Sequence, residues 1–130
     1  METIKIVESN AYDLSVSKEK NRVFLKIKGM WRDKQYVPNY HADLKKALSY
    51  TKPDFTLLTD ASEMIIHPKE MRIVHEEAQQ MFVKAGVRKV AEVQKNIFTE
   101  SQLNGLAKAT NFPKKSFSDK VEAEIWLEEK

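Results

Sequence analysis

The stretch from Phe55 to Phe82, FTLLTDASEMIIHPKEMRIVHEEAQQMF, constrains this chain more than any other. It opens with an apolar run, Phe55 to Leu58, of the kind a central strand shows when both its faces are covered. Polar turn residues follow. Met71, Val74, Ala78, Met81 and Phe82 then recur at helical spacing and predict an amphipathic helix with one core-facing stripe. Pro68 suits the first turn of that helix, where its missing N–H costs nothing, and Gly86 suits its end. A strand, turn and helix in this order belong to an α/β fold. In open α/β sheets the junction lies at the carboxyl ends of the strands, where binding sites are usually placed.

The flanking sequence extends the pattern. Tyr12, Leu14 and Val16 alternate with polar residues, Lys18 to Asn21 is a polar turn, and Val23, Leu25 and Ile27 alternate again, with Phe24 on the opposite face. These runs predict a hairpin. Ile4 and Ile6 offer a further edge strand or a lead-in segment. Gly29 ends the second strand of the hairpin. Pro38 opens a helix whose stripe is Tyr40, Leu44, Ala47 and Leu48, and Lys52-Pro53 closes it, because the residue before proline avoids helical geometry.

Beyond Gly86, Val87 to Val93 reads as a strand with Glu92 as its awkward member. Thr99 and Gln102 have the spacing of a capping box, ahead of an apolar face of Leu103, Leu106 and Ala107. Phe112-Pro113 ends that helix. Lys115 to Phe117 is a short last strand. A final helix is capped by Asp119 and Glu122, with Val121, Ile125, Trp126 and Leu127 expected to be buried. The order β-β-α-β-α-β-α-β-α implies a mixed sheet, mostly parallel beyond the hairpin.

Composition narrows the class. The 130 residues suit a single domain, 1–130, and 42% hydrophobic with 32% charged residues describes a globular rather than a disordered chain. Absence of cysteine excludes disulfides and thiolate chemistry. No apolar run approaches a membrane span, and METIKIVESN lacks the basic flank and apolar core of a signal peptide, so a cytoplasmic protein is expected. The net charge of +3 comes from interleaved acids and bases, as on an ordinary solvated surface. A nucleic-acid partner is not expected.

Three groups of local features resemble a known family. YDLSVSKEKNRVFLKIKG (Tyr12 to Gly29) resembles the leading hairpin of the STAS domain, the fold of bacterial anti-sigma-factor antagonists. FTLLTDASEM resembles its central strand and Asp-containing exit. Phe117 and Asp119, followed by Glu122-Ala123 and Trp126-Leu127, resemble its last strand and "EA..WL" helix. Within that fold the chain is most similar to the SpoIIAA-like group of small bacterial proteins. The resemblance implies a single-domain STAS/SpoIIAA-like α/β fold. In signalling members the switch is a serine at the start of the helix after the third strand, typically in an Asp-Ser-Ser-Gly turn, where phosphorylation adds negative charge at the surface that meets the kinase. The matching turn here reads His67-Pro68-Lys69-Glu70 and has no hydroxyl, so the usual phosphorylatable serine is absent. A phospho-regulated antagonist would need Ser62 or Thr59 instead.

The candidate site residues gather around this junction. Asp60 and Ser62 serve either as turn-formers, bonding backbone N–H groups two residues on, or as the rim of a site. Met64, Ile65 and Ile66 either plug the core or form a contact patch. Trp31, Tyr36 and Tyr40 either belong to the core margin or line a pocket. His67 precedes the helix with Lys69 beside it, and His67 with Glu70 or Asp60 is the one acid/base pair on offer, without a nucleophile. His75 is expected to be partly exposed. His41, His67 and His75 are too dispersed for a zinc site, and Gly29, Gly86 and Gly105 form no phosphate loop, so neither metal nor cofactor is expected. The leading expectation is a non-catalytic cytoplasmic binding or regulatory module, acting through Asp60 to Lys69 on a protein partner or a small apolar ligand, with a homodimer as a further option. The alternatives are a lipid-like ligand carrier, by analogy with the CRAL-TRIO fold, and a small enzyme built on His67 with Glu70 or Asp60.

Overall fold

A computed structural model describes residues 3–129. Among them lie six strands and four helices. Strands β1 (Ile4–Glu8), β2 (Tyr12–Ser17) and β3 (Arg22–Gly29) are followed by α1 (Tyr40–Leu48), β4 (Thr56–Met64) and α2 (Arg72–Lys84). Then come β5 (Lys89–Val93), α3 (Ile97–Thr110), β6 (Lys114–Phe117) and α4 (Lys120–Glu128). The strands lie in one sheet in chain order. β1, β2 and β3 are antiparallel neighbours, and β3 to β6 run parallel. The mixed sheet, parallel beyond the hairpin, is the one the alternation of strands and helices implied.

Period-two alternation sorts the side chains between two layers. Val23, Leu25, Ile27, Leu57 and Val90 face α1, α2 and α3, where Leu44, Val74, Phe82, Leu103 and Leu106 complete the larger core. Leu58, Ala91 and Val93 face the other way and meet Ala123 and Leu127 of α4, with Phe24, Phe117 and Trp126 at the margin. Leu57 and Leu58 are both buried because α4 covers the back of β4 and β5. That is why the run at Phe55 is continuous rather than alternating.

Several sequence expectations are corrected. Ile4 and Ile6 lie in a true edge strand, so the order begins β-β-β. The central strand runs to Met64 rather than ending near Leu58. The register with β3 slips by one residue between Asp60 and Glu63, and this bulge lets the strand continue through a polar segment. Pro38 lies two residues ahead of α1, whose first residue is Tyr40. Asn96, not Thr99, caps α3: its side chain accepts from the N–H groups of Phe98 and Thr99. Val121 and Ile125 are exposed on α4. The helix is nine residues long and packs only Ala123 and Leu127 fully inward. Asp119 does cap it, through the N–H of Val121.

Candidate functional site

The carboxyl ends of β3, β4 and β5 meet the loops leading into α1, α2 and α3. At the end of β3, Gly29 takes a left-handed φ of +63°, which a side chain would strain. The turn sends Trp31 under the α1 and α2 layer, where it is fully buried and donates from Nε1 to the carbonyl of Ala11 (3.0 Å). Four rings assemble on it. Tyr12 and Tyr40 meet it edge-on, with centroids at 5.8 and 4.8 Å. His67 and His75 stack against it, at 4.9 and 5.2 Å. Such arrangements suit the ring quadrupole.

The two imidazoles are joined. His67 Nδ1 lies 2.7 Å from His75 Nε2, and His67 Nε2 lies 3.1 Å from the Gly29 carbonyl. The partners assign the protons. A carbonyl only accepts, so His67 Nε2 carries hydrogen. A neutral His67 then has a bare Nδ1, which accepts from His75 Nε2–H. Burial holds the pair neutral. It pushes His67 down to about 4, against the opposing pull of the Gly29 carbonyl. It pushes His75 down to about 3, reinforced by the neighbouring His67 and His41.

Backbone ties fix the loop that carries His67. Ile65 N–H donates to Gly29 O (3.0 Å). The Gln102 amide clamps the His67 backbone from both sides: its Oε1 accepts from the N–H (3.1 Å) and its Nε2 donates to the carbonyl (2.9 Å). Thr99 Oγ1 donates to Met64 O (3.2 Å). Thr99 and Gln102, read from sequence as a capping box, instead strap α3 to the loop between β4 and α2.

The candidate residues separate into distinct settings. Asp60 Oδ1 accepts from the N–H of Ser62 (3.0 Å) and from its hydroxyl (2.6 Å), which holds the β4 bulge. Met64 is buried, whereas its neighbours Ile65 and Ile66 are 62% and 44% exposed. The run is therefore part plug and part surface. Trp31 and Tyr40 come together, but Tyr36 stands apart and exposed, on a shallow cleft of about 340 Å³ beside Tyr12 and Asp43. The His67 ring hydrogen-bonds neither Glu70 nor Asp60; its bonds are to His75 and Gly29, and Glu70 is exposed. The acid/base pair offered by the sequence is not assembled. His75, expected partly exposed, is 5% exposed because its ring stacks on Trp31 and on His67. Lys69 is exposed in the short 3-10 turn, Lys69–Met71, that leads into α2.

Sequence reasoning missed Ile97 and Phe98. They are 74% and 66% exposed at the start of α3, one residue from the Thr99 strap. The signal was present: neither lies on the stripe of Leu103, Leu106 and Ala107. With Ile65, Ile66 and Met30 they are exposed apolar residues on the segments that leave the neighbouring strands β3, β4 and β5. A second omission is Lys114. Its ammonium reaches the buried Glu92 carboxylate (2.9 Å), which also accepts from Gln94 (2.7 Å), and so explains the awkward acid in β5. Among the described residues no group of three or more His, Asp or Glu is placed to hold a metal ion, and no helix is long and apolar enough to cross a membrane.

No protein-family model and no curated protein sequence matches the chain. Solved structures do. The chain is similar to an uncharacterised protein of the DUF3478 family with a SpoIIAA-like fold from Shewanella loihica PV-4, with a TM-score of 0.65 at 19% identity, over 93% of this chain and 98% of that one. It is also similar to an anti-sigma factor antagonist from Mycobacterium paratuberculosis, with a TM-score of 0.56 at 14% identity, over 94% and 98% of the two chains. At such identities the likeness is one of fold.

Proposed function

We propose that this chain, whose fold is SpoIIAA-like, is a non-catalytic cytoplasmic module that regulates a protein partner through the apolar rim of Met30, Ile65, Ile66, Ile97 and Phe98. One observation carries the reading. Five large apolar side chains are exposed on the segments that follow the carboxyl ends of the adjacent parallel strands β3, β4 and β5. The segments bearing them are tied by Ile65 to Gly29 and by Thr99 to Met64. Contiguous apolar patches mark interaction sites, whereas isolated exposed apolar residues do not.

A regulatory role accords with the fold shared with an anti-sigma factor antagonist, and the rim itself speaks for protein over a lipid-like cargo. The core beneath α2 holds only about 30 Å³ of open space, roughly one water. The turn that matches the usual phosphoserine turn, His67-Pro68-Lys69-Glu70, carries no hydroxyl, which speaks against control by serine phosphorylation there. Affinity capture from the native host, comparing the natural chain with an Ile65→Glu/Phe98→Glu variant, tests the proposal. A partner retained by the first and lost by the second is expected. Retention by both, with the variant folded, would remove the rim as the contact surface.

A further inference from the structure

Between the start of α2 and the middle of α3 lies an open cleft of about 280 Å³, lined by Lys69, Arg72, His75, Ser101, Gly105 and Leu106 among others. Its inner wall is unusual. His75 is only 5% exposed, yet its Nδ1 has no hydrogen-bond partner. Among the described residues no fully buried side-chain nitrogen or oxygen is unpartnered, so this nitrogen keeps some solvent access, and His75 is part of the cleft wall. Proton placement defines its character. The Gly29 carbonyl obliges His67 Nε2 to donate, His67 Nδ1 therefore accepts, and His75 spends its proton on that bond. The nitrogen at the cleft is a bare lone pair, kept so at neutral pH by burial.

The remaining lining is complementary in charge. Lys69 and Arg72 stand at the mouth, and Arg72 commits Nε to Glu76 (3.0 Å), one of its five N–H donors. Ser101 brings a hydroxyl. Gly105 leaves the cleft open: a Cβ built there meets nothing within 4 Å. Cations at the rim with a buried pure acceptor inside call for an anion that also carries a proton.

We propose that this cleft binds a protonated oxyanion, either free hydrogenphosphate or the singly protonated form of a phosphate monoester, whose second pKa is about 6. The charged oxygens face Lys69 and Arg72, and the P–OH donates to His75 Nδ1. Sulfate has similar size and charge but no proton at neutral pH, and would set an oxygen lone pair against a nitrogen lone pair. This site is separate from the apolar rim and stands or falls independently of it.

Ring-¹⁵N-labelled histidine NMR reads the proposal directly. Inorganic phosphate is expected to move the His75 Nδ1 resonance saturably, with sulfate at equal ionic strength at least about tenfold weaker, the cost of one unmade buried hydrogen bond. Glycerol phosphate, compared with inorganic phosphate at about pH 6 where both carry a P–OH, forms the third arm: tighter binding than inorganic phosphate assigns the site to an ester, weaker binding to the free ion. Gly105→Leu fills the cleft with a better helix former, so it is expected to fold at least as well and to abolish the response. Lys69→Gln is expected to weaken it. Equal movement by sulfate, a full response in folded Gly105→Leu, or no movement of His75 at millimolar phosphate would overturn the assignment.

Discussion

Lowering the pH from about 8 to about 5 loads the buried imidazole pair in a way that can be worked out in advance. His67 and His75 titrate near 6.5 when unfolded, but near about 4 and about 3 in the folded chain. Between these values the unfolded state binds protons that the folded state refuses. Stability is therefore full above about pH 6.5 and falls as the pH drops toward the folded values. At pH 5 each histidine contributes a loss of about 2 kcal/mol, being 1.5 units at about 1.36 kcal/mol per unit, and the pair about 4 kcal/mol. This figure requires only that both folded values lie below 5. The buried Glu92 acts with the opposite sign. Burial raises its pKa, against the pull of Lys114, so its stabilising contribution is present below the unfolded value and is lost as pH rises through the folded one. Urea unfolding as a function of pH, run on the Glu92→Gln background, isolates the histidines. A slope approaching two protons per molecule between about pH 6 and pH 5 is expected, falling to about one in His75→Gln. A loss below about 1 kcal/mol on that background would refute the claim that the pair is held neutral.

Three further outcomes are expected. Trp31→Phe removes the Nε1 bond to Ala11, whose carbonyl keeps the Lys28 N–H (2.9 Å), and leaves a gap in a fully buried site; a loss of about 1–3 kcal/mol in urea unfolding, from bond and gap together, checks this. Asn96→Ala removes the cap of α3 and is expected to cost about 1 kcal/mol, with faster amide exchange confined to the first turn of that helix. Lys114→Met strands the buried Glu92 carboxylate and is expected to cost about 3–5 kcal/mol by thermal unfolding. Lys114→Met/Glu92→Leu should recover most of the loss, since the pair carries its own desolvation penalty.

The fold was legible because its signals are local. The alternation of Val23, Leu25 and Ile27, the helical stripe from Met71 to Phe82 and the stops at Pro53 and Gly86 each depend on neighbours within a few residues. Where local rules met a competing partner they failed. Thr99 and Gln102 have capping-box spacing, yet Met64 O and the His67 backbone hold them. Val121 and Ile125 are apolar on a helix, yet a nine-residue helix against one face of the sheet has room for few inward residues. The run from Met64 to Ile66 divides where β4 ends, which periodicity does not reveal.

By itself the sequence determined the layers, the parallel half of the sheet and the absence of a serine at the head of α2, because periodicity, chain-breaking residues and residue identity are properties of the chain. Only tertiary structure decided what His67 and His75 are. They are eight residues apart across a loop and a helix start, and nothing in that spacing specifies a bonded pair. The pair is made by Gly29 and Trp31, which belong to a different strand exit, and by Gln102 on a third segment. Proton positions, neutrality and the lone pair facing the cleft follow from that convergence, since a hydrogen bond and a desolvated environment exist only where distant segments close on the same point.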